Sequence, residues 1–188
     1  MSIERMPAVA PEQMTAAQKE AHDEIASGPR GAVYGPFVAL LRSPELTRRL
    51  QKVGEYLRYH AVLPRKISEL IILLTAREWT QQFEWHQHLP LALAQGVGEK
   101  VAQAISDGRR PEKMADDEEI AYEICRELRQ GHSVSDETYA RALARFGEQG
   151  VVELVVSHGY YTLLAMVMNV ARTALPEGAA PALPAFPR

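Results

Sequence analysis

One cysteine stands among the 188 residues, and that scarcity excludes whole classes of chemistry. Cys125 has no partner for an internal disulfide and cannot belong to a CxxC redox pair. It lies within Ala121-Tyr122-Glu123-Ile124-Cys125-Arg126-Glu127-Leu128, a helical pattern, and reads as a small buried apolar residue. An excess of basic residues is also missing. A net charge of −3 offers no electrostatic footprint for nucleic acid. The chain contains no P-loop, no GxGxxG and no credible strand. Met1 to Ala10 shows neither a basic start nor a long apolar run, so a signal peptide is not indicated and a cytoplasmic protein is expected.

One long stretch lacks charge altogether. Leu154 to Ala171 holds no Asp, Glu, Lys or Arg across 18 residues, long enough to be weighed as a membrane span. It also holds Ser157, His158, Gly159, Tyr160, Tyr161, Thr162 and Asn169, and no basic cluster flanks it closely. Polar groups of this kind are expensive in lipid. A buried core helix, partly at a subunit interface, is the expectation, with no membrane partner.

What is present is helical nearly throughout, and the length suits a single domain spanning 1–188. Thr15 can cap a helix reaching about Ala26, closed by Ser27-Gly28-Pro29-Arg30-Gly31. Gly35-Pro36 opens a short apolar piece from Phe37 to Leu41. Ser43-Pro44-Glu45 starts a helix with proline where no amide donor is missed, and Leu46, Leu50, Val53 and Leu57 follow at helical spacing. His60 to Leu63 is a break, and Pro64 starts the next helix. Gly96 and Gly98 bracket a further stop, and Asp107-Gly108 ends a helix of about ten residues. Asp116 to Gln130 is a helix with an acidic first turn, as the macrodipole favours. Ser135-Asp136-Glu137 starts one that ends near Phe146-Gly147, and Gly150 precedes the last long helix. The tail from Leu175 to Arg188 carries four of the twelve prolines and is expected to be an extended arm. This divides the chain into N-terminal helices at 15–60, a first repeat at 64–107, a second at 115–174 and the tail at 175–188.

The repeats begin alike. Ser68-Glu69-Leu70-Ile71-Ile72-Leu73-Leu74 is echoed by Val152-Glu153-Leu154-Val155-Val156-Ser157-His158, a lone glutamate heading an apolar run each time. After the first copy comes Arg77-Glu78-Trp79-Thr80-Gln81-Gln82-Phe83-Glu84-Trp85-His86-Gln87-His88. From Gln81 to His88 it holds a carboxylate, two imidazoles and three amides between apolar segments, groups that are costly there unless paired. Glu84 and His88, four apart, share a helix face, and a carboxylate beside an imidazole is a workable proton-transfer pair. Gln81 joins that face if the helix has begun by then. Glu69 lies 15 residues before Glu84, about 60° off-face and some 22 Å away along a straight helix. It reaches the cluster only if the chain breaks between about Arg77 and Gln82, with Thr80 a plausible cap. The bland alternative is a solvated helix with an ordinary Glu–His pair. His86 and His88 diverge by about 160° and cannot chelate one ion, so no metal is expected. His158 reads first as a satisfied core histidine and second as a pocket residue. Tyr160 and Tyr161 read as core, with one hydroxyl free to face a pocket.

Glu69, then Gln81, Glu84 and His88, then Ala92 and Gly96-Val97, resembles the carboxymuconolactone decarboxylase family, which includes the alkylhydroperoxidase D-like thiol proteins. Pro36-Phe37, Leu40-Leu41, Ser43-Pro44-Glu45-Leu46 and Gly159-Tyr160-Tyr161-Thr162 make the chain look like a longer, two-repeat branch. The resemblance covers most of residues 15–184 and implies an all-α, alkylhydroperoxidase D-like fold with an internal repeat. The thiol branch carries cysteines where this chain has Gln81 and Glu84, so thiol peroxidase chemistry, which needs both sulfurs, is disfavoured. The decarboxylase branch is matched at Glu84 and His88.

That resemblance implies cofactor-free acid–base chemistry, decarboxylation or a related lactone reaction, on a small carboxylated metabolite. The expected catalytic residues are Glu84, His88 and Glu69. The expected substrate-binding residues are Gln81, Trp85, His86, Tyr160 and His158. A homo-oligomer is expected, since the fold buries a helix like 151–173 partly against other subunits. The competing reading is a non-catalytic helical oligomer that binds a small ligand.

Overall fold

The structure is a computed structural model and describes residues 3–185. Among these residues it is all-α. A short 3₁₀ turn at Pro11–Gln13 precedes α1 (Ala16–Ser27), α2 (Pro36–Leu40), α3 (Pro44–Tyr59), α4 (Arg65–Glu78), α5 (Gln82–Ala94), α6 (Glu99–Ser106), α7 (Asp116–Gly131) and α8 (Asp136–Ala171). Local signals set most of these limits. Thr15 accepts from the Gln18 amide while Gln18 reaches back to the Thr15 amide, a reciprocal cap on α1. Ser135 caps α8 through the Thr138 amide. Four acidic residues occupy the first turn of α7, where the helix dipole favours them.

α8 is two helices joined at Gly147, whose φ of 68° and ψ of 173° interrupt the helical ladder. That φ suits glycine and strains other residues, so the break falls at Gly147. Gly150, expected to precede the last helix, is buried inside it. The segment beyond the kink is long and apolar enough for a bilayer by length and composition, but half of its most apolar window is buried within the fold.

α4 is the central element. Ile67, Leu70, Ile71, Ile72, Leu73 and Ala76 are all buried, so the helix is apolar around most of its circumference, as a fully surrounded helix must be. It packs against α5, α6, α7 and α8. Each fully buried aliphatic side chain here contributes on the order of 1.5–3 kcal/mol. Two apolar clusters result. The larger joins α4 to α5, α6, α7 and the start of the second segment of α8. The smaller joins Ile25, Phe37, Leu40 and Leu57 of the N-terminal helices to Ile72 and to Tyr160, Tyr161, Leu164 and Met168 of α8. Close approach in this second cluster depends on Gly54 in mid-α3. A Cβ there would collide with the Tyr160 hydroxyl, which donates to the Leu50 carbonyl at 3.0 Å.

The tail is an arm without regular structure, and it is docked. The Gln82 amide donates to the Leu183 carbonyl at 2.6 Å, and its oxygen accepts from the Ala182 and Leu183 amides at 3.0 Å each. Arg77 donates to the Pro184 carbonyl at 2.8 Å. Leu183 is buried in the larger cluster. The last three residues of the expected arm lie outside the described residues.

Candidate active site

The site is made by a corner. α4 stops at Glu78, Trp79 lies at φ −87° and ψ 0°, and Thr80 takes a left-handed φ of 47°. For a β-branched residue that conformation is strained by roughly 1–2 kcal/mol. The cap on α5 is Gln81 rather than Thr80: its side-chain oxygen accepts from the Phe83 amide at 2.7 Å and the Glu84 amide at 3.3 Å. Asn169 of α8 clasps the same corner. It accepts from the Gln81 amide nitrogen at 2.9 Å and donates to the Trp79 carbonyl at 2.9 Å. These contacts hold a turn that the local backbone resists.

Turning the chain there lays α5 back along α4, so that Glu69 and His88 meet. His88 Nδ1 lies 2.7 Å from Glu69 Oε2. The other oxygen, Oε1, accepts from Arg65 Nη2 at 3.0 Å, and Arg65 in turn holds the Arg58 carbonyl. Glu69 is fully buried and His88 nearly so. A carboxylate only accepts hydrogen bonds, so Nδ1 carries the hydrogen and Nε2 is the nitrogen left for other partners. The Tyr161 ring meets the imidazole edge-on, centroids 5.5 Å apart, and fixes its plane.

This corrects the expected pairing of Glu84 with His88. The i,i+4 spacing places both on one side of α5, but among the described residues no hydrogen bond joins them. The ring is turned to Glu69 across the helix pair, and Glu84 Oε2 is buried without a hydrogen-bond partner. Burial alone pushes the Glu84 carboxyl well above the usual carboxylate range. That shift favours the protonated carboxyl, which can donate.

Glu84 and His88 line one cavity with Tyr160, Tyr161, Phe83 and Phe37. Its non-atom space, mouth included, is about 490 Å³, of which about 50 Å³ admits the centres of water-sized molecules. The inner part therefore holds a few waters as it stands. Burial holds the Tyr160 hydroxyl up at about 12 and shifts the Tyr161 hydroxyl upward as well, so both phenols are neutral donors. Two arginines that the sequence pattern did not single out complete the lining: Arg30, in the loop after α1, and Arg58, in the last turn of α3. The Nε of each is buried without a hydrogen-bond partner.

Of the expected binding residues, Tyr160 alone faces this cavity. Gln81 is spent on capping α5 and on Asn169. Trp85 is buried in the larger apolar cluster. His86 is exposed on the opposite side of α5. His158 points to the far side of α4, its Nδ1 3.1 Å from the Thr75 hydroxyl. That hydroxyl already donates to the Ile71 carbonyl, so it accepts from Nδ1–H. Burial, reinforced by Arg129, lowers the His158 pKa, and the ring is a satisfied neutral core histidine.

Cys125 lines a separate cavity between α4, α6 and α7, beside Glu78 and Tyr122. Burial pushes its thiol up to about 12, so it holds its proton at neutral pH. Among the described residues, no group of three or more His, Cys, Asp or Glu side chains is placed to hold a metal ion. No protein-family model matches the chain, and no curated protein matches it either.

Proposed function

We propose that this protein is a cofactor-free acid–base catalyst of the carboxymuconolactone decarboxylase kind, with an alkylhydroperoxidase D-like fold and an internal repeat, acting on a small carboxylated or lactone-type metabolite. One observation carries the reading. An imidazole oriented by the buried Glu69 carboxylate, itself held by Arg65, lines the same small, largely apolar cavity as a buried Glu84 carboxyl that burial pushes toward its protonated form.

The chemistry follows from those two groups. Decarboxylation breaks the carbon–carbon bond to the substrate carboxylate, releases carbon dioxide, and leaves the electron pair delocalised into the adjacent carbonyl as an enolate. A preorganised donor lowers that barrier if it faces the oxygen where charge grows. Glu84 is such a donor, because its buried acid has no internal acceptor. The doubly protonated ring of His88 then gives its Nε2 proton to the enolate carbon, which leaves the neutral tautomer with its hydrogen on Nδ1, and Nε2 recovers a proton from water. Glu69 keeps Nδ1 occupied, so the transferable proton sits on the cavity side of the ring. The aromatic walls keep bulk water from the reacting carboxylate.

We propose a homo-oligomer as the working form. Val152, Val155, Val156, Met166 and Val170 of α8 are exposed by 40–61%, more apolar surface on one helix than a monomer ordinarily leaves in water. The test of the catalytic reading is carbon dioxide release from a panel of small lactone and β-keto carboxylates, compared between the unmodified protein and His88→Ala at matched thermal stability. A drop of about 10²–10⁴-fold is expected for loss of a general acid. Equal turnover by His88→Ala would return the cluster to a structural role.

A further inference from the structure

We infer that the cavity beside His88 binds a small dicarboxylate, one carboxylate on Arg30 and the other on Arg58. The inference rests on the proposed function only in placing the ligand in that cavity; it needs no particular reaction there.

A charge count carries it. Apart from the phenols of Tyr34, which neighbours Arg58, and of Tyr160 and Tyr161, the ionisable groups around the cavity are Arg30, Arg58, Glu84, His88 and, behind the ring, Glu69 with Arg65. Arg65 and Glu69 compensate each other. Burial drives Glu84 toward its neutral form, and its carboxyl makes no ion pair with either arginine among the described residues. That leaves two guanidinium charges, and among the described residues neither forms an ion pair. Arg30 lies over the Phe37 ring at 4.2 Å and Arg58 over the Tyr59 ring at 5.6 Å. Ring faces offer a guanidinium far less than a carboxylate does. The buried Nε–H of both arginines is unmatched, although buried donors are nearly always satisfied. Of the buried side-chain atoms without a partner, those of Arg30, Arg58 and Glu84 all belong to residues lining this one cavity. Convergence of that sort marks a place where a ligand supplies the acceptors.

The arrangement of the charges selects among anions. The arginines come from different elements, the loop after α1 and the end of α3, and Phe37, Phe83 and Leu91 line the same space. Two anionic ends on a short carbon skeleton satisfy both guanidiniums and cover those walls. A compact inorganic anion leaves the apolar lining facing water. A monocarboxylate leaves one guanidinium unmatched. Both arginines lie outside the segment from Glu69 to Val97, so charge selection and proton transfer are carried by separate parts of the chain.

The experiment is isothermal titration calorimetry on the full chain at pH 7 with succinate, glutarate and adipate, against butyrate and inorganic phosphate. At least one dicarboxylate is expected to bind at least tenfold more tightly than butyrate or phosphate. Arg30→Gln and Arg58→Gln should each weaken it by roughly 10–100-fold, the scale of a lost charge-assisted hydrogen bond. Arg49→Gln, an exposed arginine paired only with Glu45, should change nothing. Equal affinity for butyrate and the best dicarboxylate, tighter binding of phosphate, or undiminished binding by both arginine variants overturns the inference. The ratio measured on the unmodified protein decides the matter even if an arginine variant fails to fold. Dicarboxylate binding without turnover of any carboxylate would sink the decarboxylase reading and leave this one standing.

Discussion

Replacing Glu69 by glutamine tests the site at its hinge. The carboxylate is fully buried and serves two donors, Arg65 Nη2 at 3.0 Å and His88 Nδ1 at 2.7 Å. An amide of the same shape keeps one acceptor and adds an N–H that must face either the guanidinium or the ring. The bond to His88 is deeply buried and, as a charge-assisted bond, contributes about 1.5–3 kcal/mol. The Arg65 side chain is 37% exposed, so water screens that half of the arrangement and its share is nearer 0.5–1 kcal/mol. The expected destabilisation is about 2–4 kcal/mol. For a chain of this size, at about 2–4 °C per kcal/mol, Tm falls by roughly 5–15 °C. The more specific readout is nitrogen NMR of the imidazole. The unmodified protein should show one tautomer, protonated at Nδ1, and Glu69→Gln should show a mixture as the amide flips between donor and acceptor. Turnover, where a substrate is found, should fall as it does for a catalytic triad whose orienting carboxylate becomes an amide, toward 10⁴-fold. A variant with unchanged Tm and a single unchanged tautomer would falsify the assignment of Glu69 as the group that orients His88.

The remaining expectations are separate measurements. Glu69→Gln combined with His88→Ala should be no worse in turnover than His88→Ala alone, because the two act as one unit, whereas Glu84→Leu should multiply its own loss, about 10²–10³-fold for one oxyanion donor, onto either; full multiplicativity for Glu69 and His88 would contradict the pairing. Glu84 binds its proton more tightly folded than unfolded, so its contribution to stability is fully present below its ordinary value of 4.5 and is lost as pH rises from there toward its raised folded value; Glu84→Gln should gain Tm relative to the unmodified protein as pH rises above 4.5, and a pH-independent difference would show that burial does not raise this acid. Purified protein should reduce no hydroperoxide with dithiol donors, and any such turnover that vanishes in Cys125→Ser would show the buried thiol to be reactive after all. Gln82→Ala should release the docked tail at a cost of about 1–3 kcal/mol, seen as faster proteolysis after residue 175; unchanged cleavage would mean the arm is held elsewhere. Light scattering at micromolar concentration should give a closed oligomer, and a monomer mass would contradict that proposal.

Helix limits were legible where one residue type decides them. Ser43-Pro44, Pro64, Asp107-Gly108 and Ser135 each act through a local backbone effect, and the helices start and stop there. The corner at Trp79–Thr80 was legible as a possibility but not in its construction. Its clasp comes from Asn169, about ninety residues away, and no local pattern announces that an asparagine on an apolar helix will reach this turn. The Glu84–His88 pairing was misread for a related reason. Spacing on one helix reports which side chains share a face; it does not report what the next helix brings to that face, and a fully buried glutamate already held by Arg65 outcompeted the neighbour four residues away. Trp85 and His86 were expected in the pocket because they sit within the motif, yet a helix distributes consecutive residues around its axis, one into the core and one into water. Arg30 and Arg58 carried no signal at all. One lies in a turn and the other ends a helix, and only the packing of the N-terminal helices over α8 turns them toward the cavity.

The two glutamates that head the repeated apolar runs show how one sequence feature is put to two uses. Both are buried, Glu69 completely and Glu153 almost so, and each must therefore find donors. Glu153 receives the Tyr56 hydroxyl at 2.7 Å, the Leu63 amide at 3.0 Å and the Gln149 amide at 2.9 Å. All are neutral groups, and against the opposing effect of burial their hydrogen bonds hold its carboxyl below the usual range. It ties α8 to α3 and to the turn before α4, with no imidazole among its donors. Glu69 has no neutral backbone donor among its bonds; its partners are a guanidinium and an imidazole, and the imidazole borders a cavity. A carboxylate satisfied by three neutral donors is complete in itself. One satisfied by an imidazole determines which nitrogen of that ring is left over, and on the proposed function that difference places the chemistry in the first repeat. Glu153→Gln should accordingly lower Tm with no change in the His88 tautomer, while Glu69→Gln changes both; a shift in the His88 signals on altering Glu153 would mean that the two repeats share one site.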